Sequence, residues 1–240
     1  MTAADAWPPP HADTALAVLV SGGLDSAVLL AEAARVYPVV VPIYVRTGML
    51  WEDAERAHLD RFLAAVRTPA LRPLVELAQP AADLYGGHWS LTGVDTPNAT
   101  SADEAVFLPG RNVLLFAKPL LWCHIHRVPE LATAPLQCNP FPDATPAFYD
   151  GIAAVVARGM NLPPVRILRP YSKLSKSDVL RLGRRYPLEH TFSCIRPVGL
   201  VPCGVCNKCG ERQAGFRAAG VPDPTGYATD QKSSLDRITG

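Results

Sequence analysis

The chain has 240 residues, 48% of them hydrophobic, and a formal net charge of +1, which suits one α/β domain and leaves no material for a second full one. No block of Lys or Arg stands out, so the charge pattern offers no footprint for long nucleic acid or an acidic membrane surface. No run of eighteen apolar residues occurs, and residues 1–13 carry Pro8, Pro9, Pro10 and two aspartates in place of a basic apolar leader; the expectation is a cytosolic protein with neither span nor signal, its first thirteen residues a disordered tail.

Short apolar runs alternate with longer helical patterns, which argues a doubly wound, mostly parallel sheet covered on both faces. Residues 15–20 read as the first strand, 26–36 as a helix and 39–45 as the second strand. Residues 51–66 read as a helix with its charges on one side, and 71–77 as a third strand broken by Pro73. From 78 to 110 the chain is rich in Gly, Pro, Asp, Ser and Thr, a length that in a compact domain marks a functional loop or disorder; a lid or substrate loop is expected. Residues 111–125 form an apolar helix interrupted by Pro119, 130–137 a buried strand, 146–158 a helix and 165–168 a short strand. Residues 175–184 form a helix capped by Ser175, with Asp178 three positions on. Beyond Pro222 a polar, poorly ordered tail is expected.

The first strand runs into Ser21-Gly22-Gly23-Leu24-Asp25-Ser26 and then a helix rich in Ala and Leu. Glycines let ligand oxygens approach the backbone and permit positive φ, while Ser21, Ser26 and the first free helix amides can donate to an anion. This is a phosphate cradle, and ATP is the expected ligand. It has neither the Gly-Lys-Ser/Thr of the ATPase P-loop nor the G-x-G-x-x-G of dinucleotide folds. Instead it resembles the PP-loop of the ATP-pyrophosphatase superfamily, which implies transfer of AMP to a carboxylate or carbonyl oxygen, with Asp25 helping to position Mg²⁺.

Four of the six cysteines crowd into Cys194, Cys203, Cys206 and Cys209, spaced C-x8-C-x2-C-x2-C. Two close knuckles and a distant fourth thiolate can close a tetrahedral Zn²⁺ site with no open position. An iron–sulfur cluster and a redox pair are the competing readings. Arg111 and Asn112, in the run Leu108-Pro-Gly-Arg-Asn, can meet phosphates or orient a ligand, against a plain helix-start turn. Lys176 could stabilise charge on leaving pyrophosphate, against a solvated surface lysine. Trp51 with Glu52 and Asp53 fits either a purine cover or a helix start with dipole-matched acids. Cys138 reads as a buried small hydrophobe rather than a reactive thiol, and Cys123, His124 and His126 as core or surface fillers.

Taken in order, the PP-loop, Pro-Gly-Arg-Asn, a Pro with a lysine six residues on (Pro170, Lys176) and the four-cysteine end resemble the 7-cyano-7-deazaguanine synthase family of the queuosine pathway, over residues 15–216. The resemblance implies an adenine-nucleotide α-hydrolase-like fold and a carbon–nitrogen ligase. ATP would adenylate 7-carboxy-7-deazaguanine, ammonia would displace AMP to give the amide, and a second ATP would activate that amide for nitrile formation. By matching position, Ser21, Gly22, Gly23, Asp25 and Ser26 would bind ATP phosphates, Arg111 and Lys176 would sit near the reacting groups, and the four cysteines (residues 194–216) would hold zinc. Relatives suggest a homodimer. Two segments depart from the family pattern: residues 45–52 replace Tyr-Gly-Gln-Arg-His, and Asn139-Pro-Phe-Pro-Asp143-Ala-Thr145 replaces Ser-Gly-Tyr-Pro-Asp-Cys-Arg. Asn139 and Asp143 are the expected substrate contacts. The alternatives are a divergent relative that passes an acyl group to another amine, a PP-loop tRNA thiolase, and a non-enzymatic nucleotide-binding module.

Overall fold

A computed structural model describes Trp7 and residues 14–230 of the chain. Five parallel strands lie in the order β3-β2-β1-β4-β5: β1 Ala15–Leu19, β2 Val39–Arg46, β3 Val75–Ala78, β4 Glu130–Ala132 and β5 Arg166–Leu168. The central strand β1 pairs with β2 and β4, Val18 opposite Pro42 and Ala132. The chain therefore winds one way from β1 to β3 and the other way through β4 and β5. In open α/β sheets the carboxyl ends of the strands at such a reversal form the ligand crevice.

The helices are α1 Leu24–Val36, α2 Glu52–Ala65, the short α3 Ala82–Tyr85 and α4 Trp89–Thr92, then α5 Arg111–Ile125, α6 Pro146–Met160, α7 Lys176–Gly183 and α8 Asn207–Ala219. One apolar core joins α1 and α7 to the sheet through Leu16, Val18, Val28, Leu29, Val179 and Leu180. A second lies on the opposite side, where Ala17, Ile43 and Leu131 meet Phe116, Leu120 and Tyr149 of α5 and α6. The doubly wound sheet is thus the observed architecture. Helix α7 lies very close to α1: a β-carbon on Gly183 would stand 2.5 Å from Val28 Cγ2. That approach brings Lys176, at the start of α7, to the start of α1.

Several elements differ from expectation. The strand expected over 130–137 stops at Ala132, because Pro135 has no N–H to give a ladder and the chain turns toward Leu136 and Asn139. The third strand starts at Val75, after Pro73. Helix α5 runs unbroken through Pro119. The segment 78–110 is not a bare loop; it carries α3, α4 and a 3₁₀ turn, and its Ala99 N–H donates to the Val205 carbonyl at 3.0 Å. The tail expected to be loose beyond Pro222 is docked up to residue 230: Tyr227 is buried, and the Ala228 N–H donates to the Pro202 carbonyl at 2.9 Å. Residues 231–240 and, Trp7 apart, the tail expected over 1–13 lie outside the described residues; Trp7 itself packs edge-on to Tyr37.

Candidate active site

The Ser-Gly-Gly turn hangs from the carboxyl end of β1 and opens α1, whose N-cap is Gly23, with no side-chain cap. The first amides of α1 are therefore left to a ligand. Ser21 and Ser26 face each other, Oγ to Oγ 3.2 Å; the Gly23 N–H donates to Ser21 Oγ at 3.2 Å and Ser26 Oγ–H to the Gly23 carbonyl at 3.1 Å. Only Gly22 uses a positive φ, +73°, and a β-carbon there would lie 2.9 Å from the Glu55 carbonyl oxygen. Gly23, expected to share that freedom, is extended at φ −67°.

Around this turn the predicted residues gather from distant parts of the chain. Lys176 Nζ donates to Asp25 Oδ2 at 2.6 Å and also meets Glu211 Oε1 at 3.3 Å, while Lys208 Nζ binds Glu211 Oε2 at 2.7 Å. These four charges form a ladder from the PP-loop to α8. Burial alone would raise the Glu211 carboxyl, and Lys176 with Lys208 overcomes that and pulls it down to about 2. Asp25 Oδ1 is buried without a hydrogen-bond partner, and Asp25 lines the crevice. Gly215 of α8 gives Lys176 room: a β-carbon there would press on Lys176 Cγ at 2.8 Å.

Arg111 is the first residue of α5, and its guanidinium lies 5.8 Å from the centre of the Trp51 ring, which stacks on Trp89. Ser21, Gly23, Asp25, Glu55 and Arg111 line two adjoining hollows of about 210 and 240 Å³; Trp51 and Lys176 wall the first, Asn112, Asn139 and Tyr149 the second. Asn139 is thus beside the cradle, though its Oδ1 also accepts the Phe141 N–H at 3.0 Å. Asp143 lines neither hollow. Its carboxylate accepts the Asn112 N–H at 3.2 Å and its carbonyl the Asn112 Nδ2–H at 2.8 Å, so it ties down the start of α5.

Glu52 and Asp53 are taken by structure rather than ligand. Glu52 accepts from the Thr47 N–H and hydroxyl and the Gly48 N–H, and Asp53 binds Arg46. Cys123 is buried core, whereas Cys138 is exposed, not buried as expected, on the wall of a larger hollow of about 690 Å³ beyond Lys176. Sequence reasoning missed Glu55, Tyr44, Lys208 and Glu211. Glu55 showed only as one charge on the helix read over 51–66, Tyr44 as a residue of an apolar strand, and Lys208 and Glu211 fell in the cysteine segment, where no helix was expected.

The four cysteines converge in a second centre, all buried, with every Sγ within 4.8 Å of the others. Cys203 and Cys209 are 3.9 Å apart and Cys194 and Cys206 3.8 Å. A tetrahedron with metal–sulfur bonds of about 2.3 Å needs sulfurs about 3.8 Å apart, so the cage can hold a metal such as zinc. Backbone N–H groups of Arg196 and Cys203 donate to Cys194 Sγ, and those of Val205 and Cys206 to Cys203 Sγ. Such donors favour thiolates. The cage is joined to the crevice directly: the Phe192 N–H, two residues before Cys194, donates to the Gly22 carbonyl at 2.8 Å.

The profile of the family described as "Queuosine biosynthesis protein QueC" matches residues 15–220. The chain belongs to this family. Proteins named 7-cyano-7-deazaguanine synthase from Xanthomonas campestris pv. campestris (strain B100) and Xanthomonas oryzae pv. oryzae (strain PXO99A) are each 31% identical to it over 223 residues, covering 88% of this chain and 96% of the relative. One from Xanthomonas axonopodis pv. citri (strain 306) is 30% identical over the same span. The match takes in both the PP-loop and the cysteine cage of this queuosine-pathway chain, and the PP-loop family implies use of ATP. No helix among the described residues is long and apolar enough to cross a membrane.

Proposed function

We propose that the chain is an ATP-dependent carbon–nitrogen ligase that adenylates 7-carboxy-7-deazaguanine and uses ammonia to form 7-cyano-7-deazaguanine by way of the amide, releasing AMP and pyrophosphate. The observation that carries this reading is the meeting of the uncapped PP-loop with the Lys176–Asp25 pair and Arg111 in one crevice. A carboxylate is a poor electrophile and an amide a worse one, so each oxygen must be made a good leaving group. Ser21, Gly22, Gly23 and Ser26 hold the phosphates by hydroxyl and amide donors. Lys176 and Arg111 stabilise the charge that develops as pyrophosphate departs. Asn139 contacts the deazaguanine; Asp143 acts on that side by fixing Asn112 next to Arg111.

Two metals fit the residues. The unpartnered Asp25 Oδ1 suits Mg²⁺, which when bound would neutralise phosphate charge. The four-thiolate cage with no open position suits a structural Zn²⁺, which would supply folding energy rather than chemistry. The enzyme works in the cytoplasm with small molecules rather than nucleic acid, as a homodimer.

One observation favours a second reading, in which the acyl group passes to a different amine: the hollow of about 690 Å³ reaches Asp25 and Lys176 from the side of α8. Pyrophosphate release from Mg-ATP and ammonium, with and without 7-carboxy-7-deazaguanine, followed by product mass, tests both. Substrate-dependent release with the nitrile supports the first reading. Release that stops at an adenylate supports the second, and no substrate-dependent release refutes both.

A further inference from the structure

Glu55 is a buried carboxyl that no structural duty consumes. It sits one turn into α2, directly beneath the PP-loop: a β-carbon on Gly22 would touch its Cγ at 3.3 Å. Tyr44 of β2 donates to its Oε2 at 2.8 Å, which fixes the carboxyl plane and leaves the other oxygen with no protein donor. The side chain lines both hollows between the Ser-Gly-Gly turn and Arg111. The groups that face it are Tyr44 from β2, Glu52 from its own helix and Arg111 from α5, with Asp25 of α1 and Lys176 of α7 across the first hollow. Glu52 is held by three donors from Thr47 and Gly48, Asp25 by Lys176, and Glu211 by Lys176 and Lys208, so among the described residues Glu55 is the acid of this crevice that no lysine or backbone amide binds.

Resting on the ligase reading, we propose that Glu55 is the proton acceptor that converts ammonium into the attacking ammonia at the acyl centre. The carboxylate takes one proton from ammonium. The freed nitrogen lone pair forms the carbon–nitrogen bond, the carbon–oxygen bond to AMP breaks with its electron pair going to the AMP phosphate oxygen, and the second nitrogen proton passes to solvent. Burial raises the Glu55 carboxyl, Arg111 and the Tyr44 hydroxyl hold it back and Glu52 raises it further, to about 8. That is basic enough to accept from ammonium, and bases tuned toward the working pH typically contribute about 10²–10⁴-fold.

The test separates adenylation from amination in the full-length, metal-loaded protein. Glu55→Gln keeps the acceptor for Tyr44. It is compared with wild type in substrate-dependent pyrophosphate–ATP exchange, in amide formation from ammonium, and in hydroxamate formation from hydroxylamine, a nucleophile already neutral at pH 7. The expected result is near wild-type exchange, roughly hundredfold slower amide formation and little change with hydroxylamine. Per unit of ammonium ion, the wild-type rate should rise to a plateau above about pH 8, whereas the variant, left to free ammonia, should keep rising in proportion to hydroxide with no break there. Exchange lost as severely as amination, or hydroxylamine slowed equally, overturns the proposal while the ligase reading stands. No substrate-dependent exchange in wild type overturns the ligase reading and this proposal with it.

Discussion

Arg212 is the test of how the cysteine segment is fastened to the domain. It is 3% exposed, on α8, and reaches residues 188–191 and 223–225. Its Nε donates to Thr225 Oγ1 at 2.7 Å, Nη1 to Thr191 Oγ1 at 2.8 Å and Nη2 to the Leu188 carbonyl at 3.0 Å. Asp223 lies 3.6 Å away and the guanidinium covers the Phe216 ring at 5.0 Å. Methionine at 212 would keep most of the volume, remove the cation beside Asp223 and the donors to Thr225 Oγ1, Thr191 Oγ1 and the Leu188 carbonyl, and lose the ring contact. Removing one partner of a buried, hydrogen-bonded charge pair costs about 3–5 kcal/mol, which for a chain of this size is a fall in Tm of roughly 6–20 °C. Arg212→Lys keeps the charge but not the fork, and should recover less than half of the loss. Both are read by thermal and urea unfolding of metal-loaded protein at matched pH. A cost below about 1 kcal/mol for Arg212→Met would refute the view that this side chain clamps residues 188–191 and 223–225 together.

Gly22→Ala should remove nucleotide binding and lower stability by about 1–3 kcal/mol, since it forces a side chain into positive φ and against the Glu55 carbonyl; titration calorimetry with ATP showing wild-type affinity would contradict this. Cys203→Ser, or a strong chelator, should strip the cage and lower Tm, whereas loss of metal with an unchanged melt would remove its structural role. Glu211 lies below its ordinary value in the folded chain, at about 2, so its ion pairs stabilise the fold above about pH 4.5 and that contribution is lost as pH falls toward 2. Glu211→Gln should flatten that acid limb of the urea-unfolding profile; an unchanged slope would show that the Lys176–Glu211–Lys208 ladder adds nothing to stability.

Much of the fold could be read from the chain because its signals are local. The PP-loop, the Ser175 capping box and the cysteine knuckles each lie within a few residues, and each names its own geometry. What escaped depends on register between distant segments. Glu55 is one acid among several on α2 until β2 and α5 bring Tyr44 and Arg111 against it. Asp143 resembles a ligand contact in a linear motif, yet folding sets it on the Asn112 amide. The segment beyond Pro222 is polar in composition, and only the arrangement of Arg212 and the cage shows why Tyr227 is buried there. Pro73 and Pro135 shortened two strands by removing ladder donors; the break at Pro73 was expected from the sequence, and the one at Pro135 was local enough to have been anticipated too.

The hydrogen bond from Phe192 to Gly22 carries a thermodynamic corollary. A metal ion that fixes Cys194 also fixes the chain two residues upstream, and with it the one carbonyl of the phosphate turn whose residue stands at positive φ. Occupancy of the cage and the affinity of the turn for nucleotide then share a single free energy of coupling, and the exchange is symmetrical. ATP held on the turn must raise the affinity for the metal by the same factor by which the metal tightens ATP. Loss of the metal would then weaken the hold of the turn on nucleotide as well as the fold.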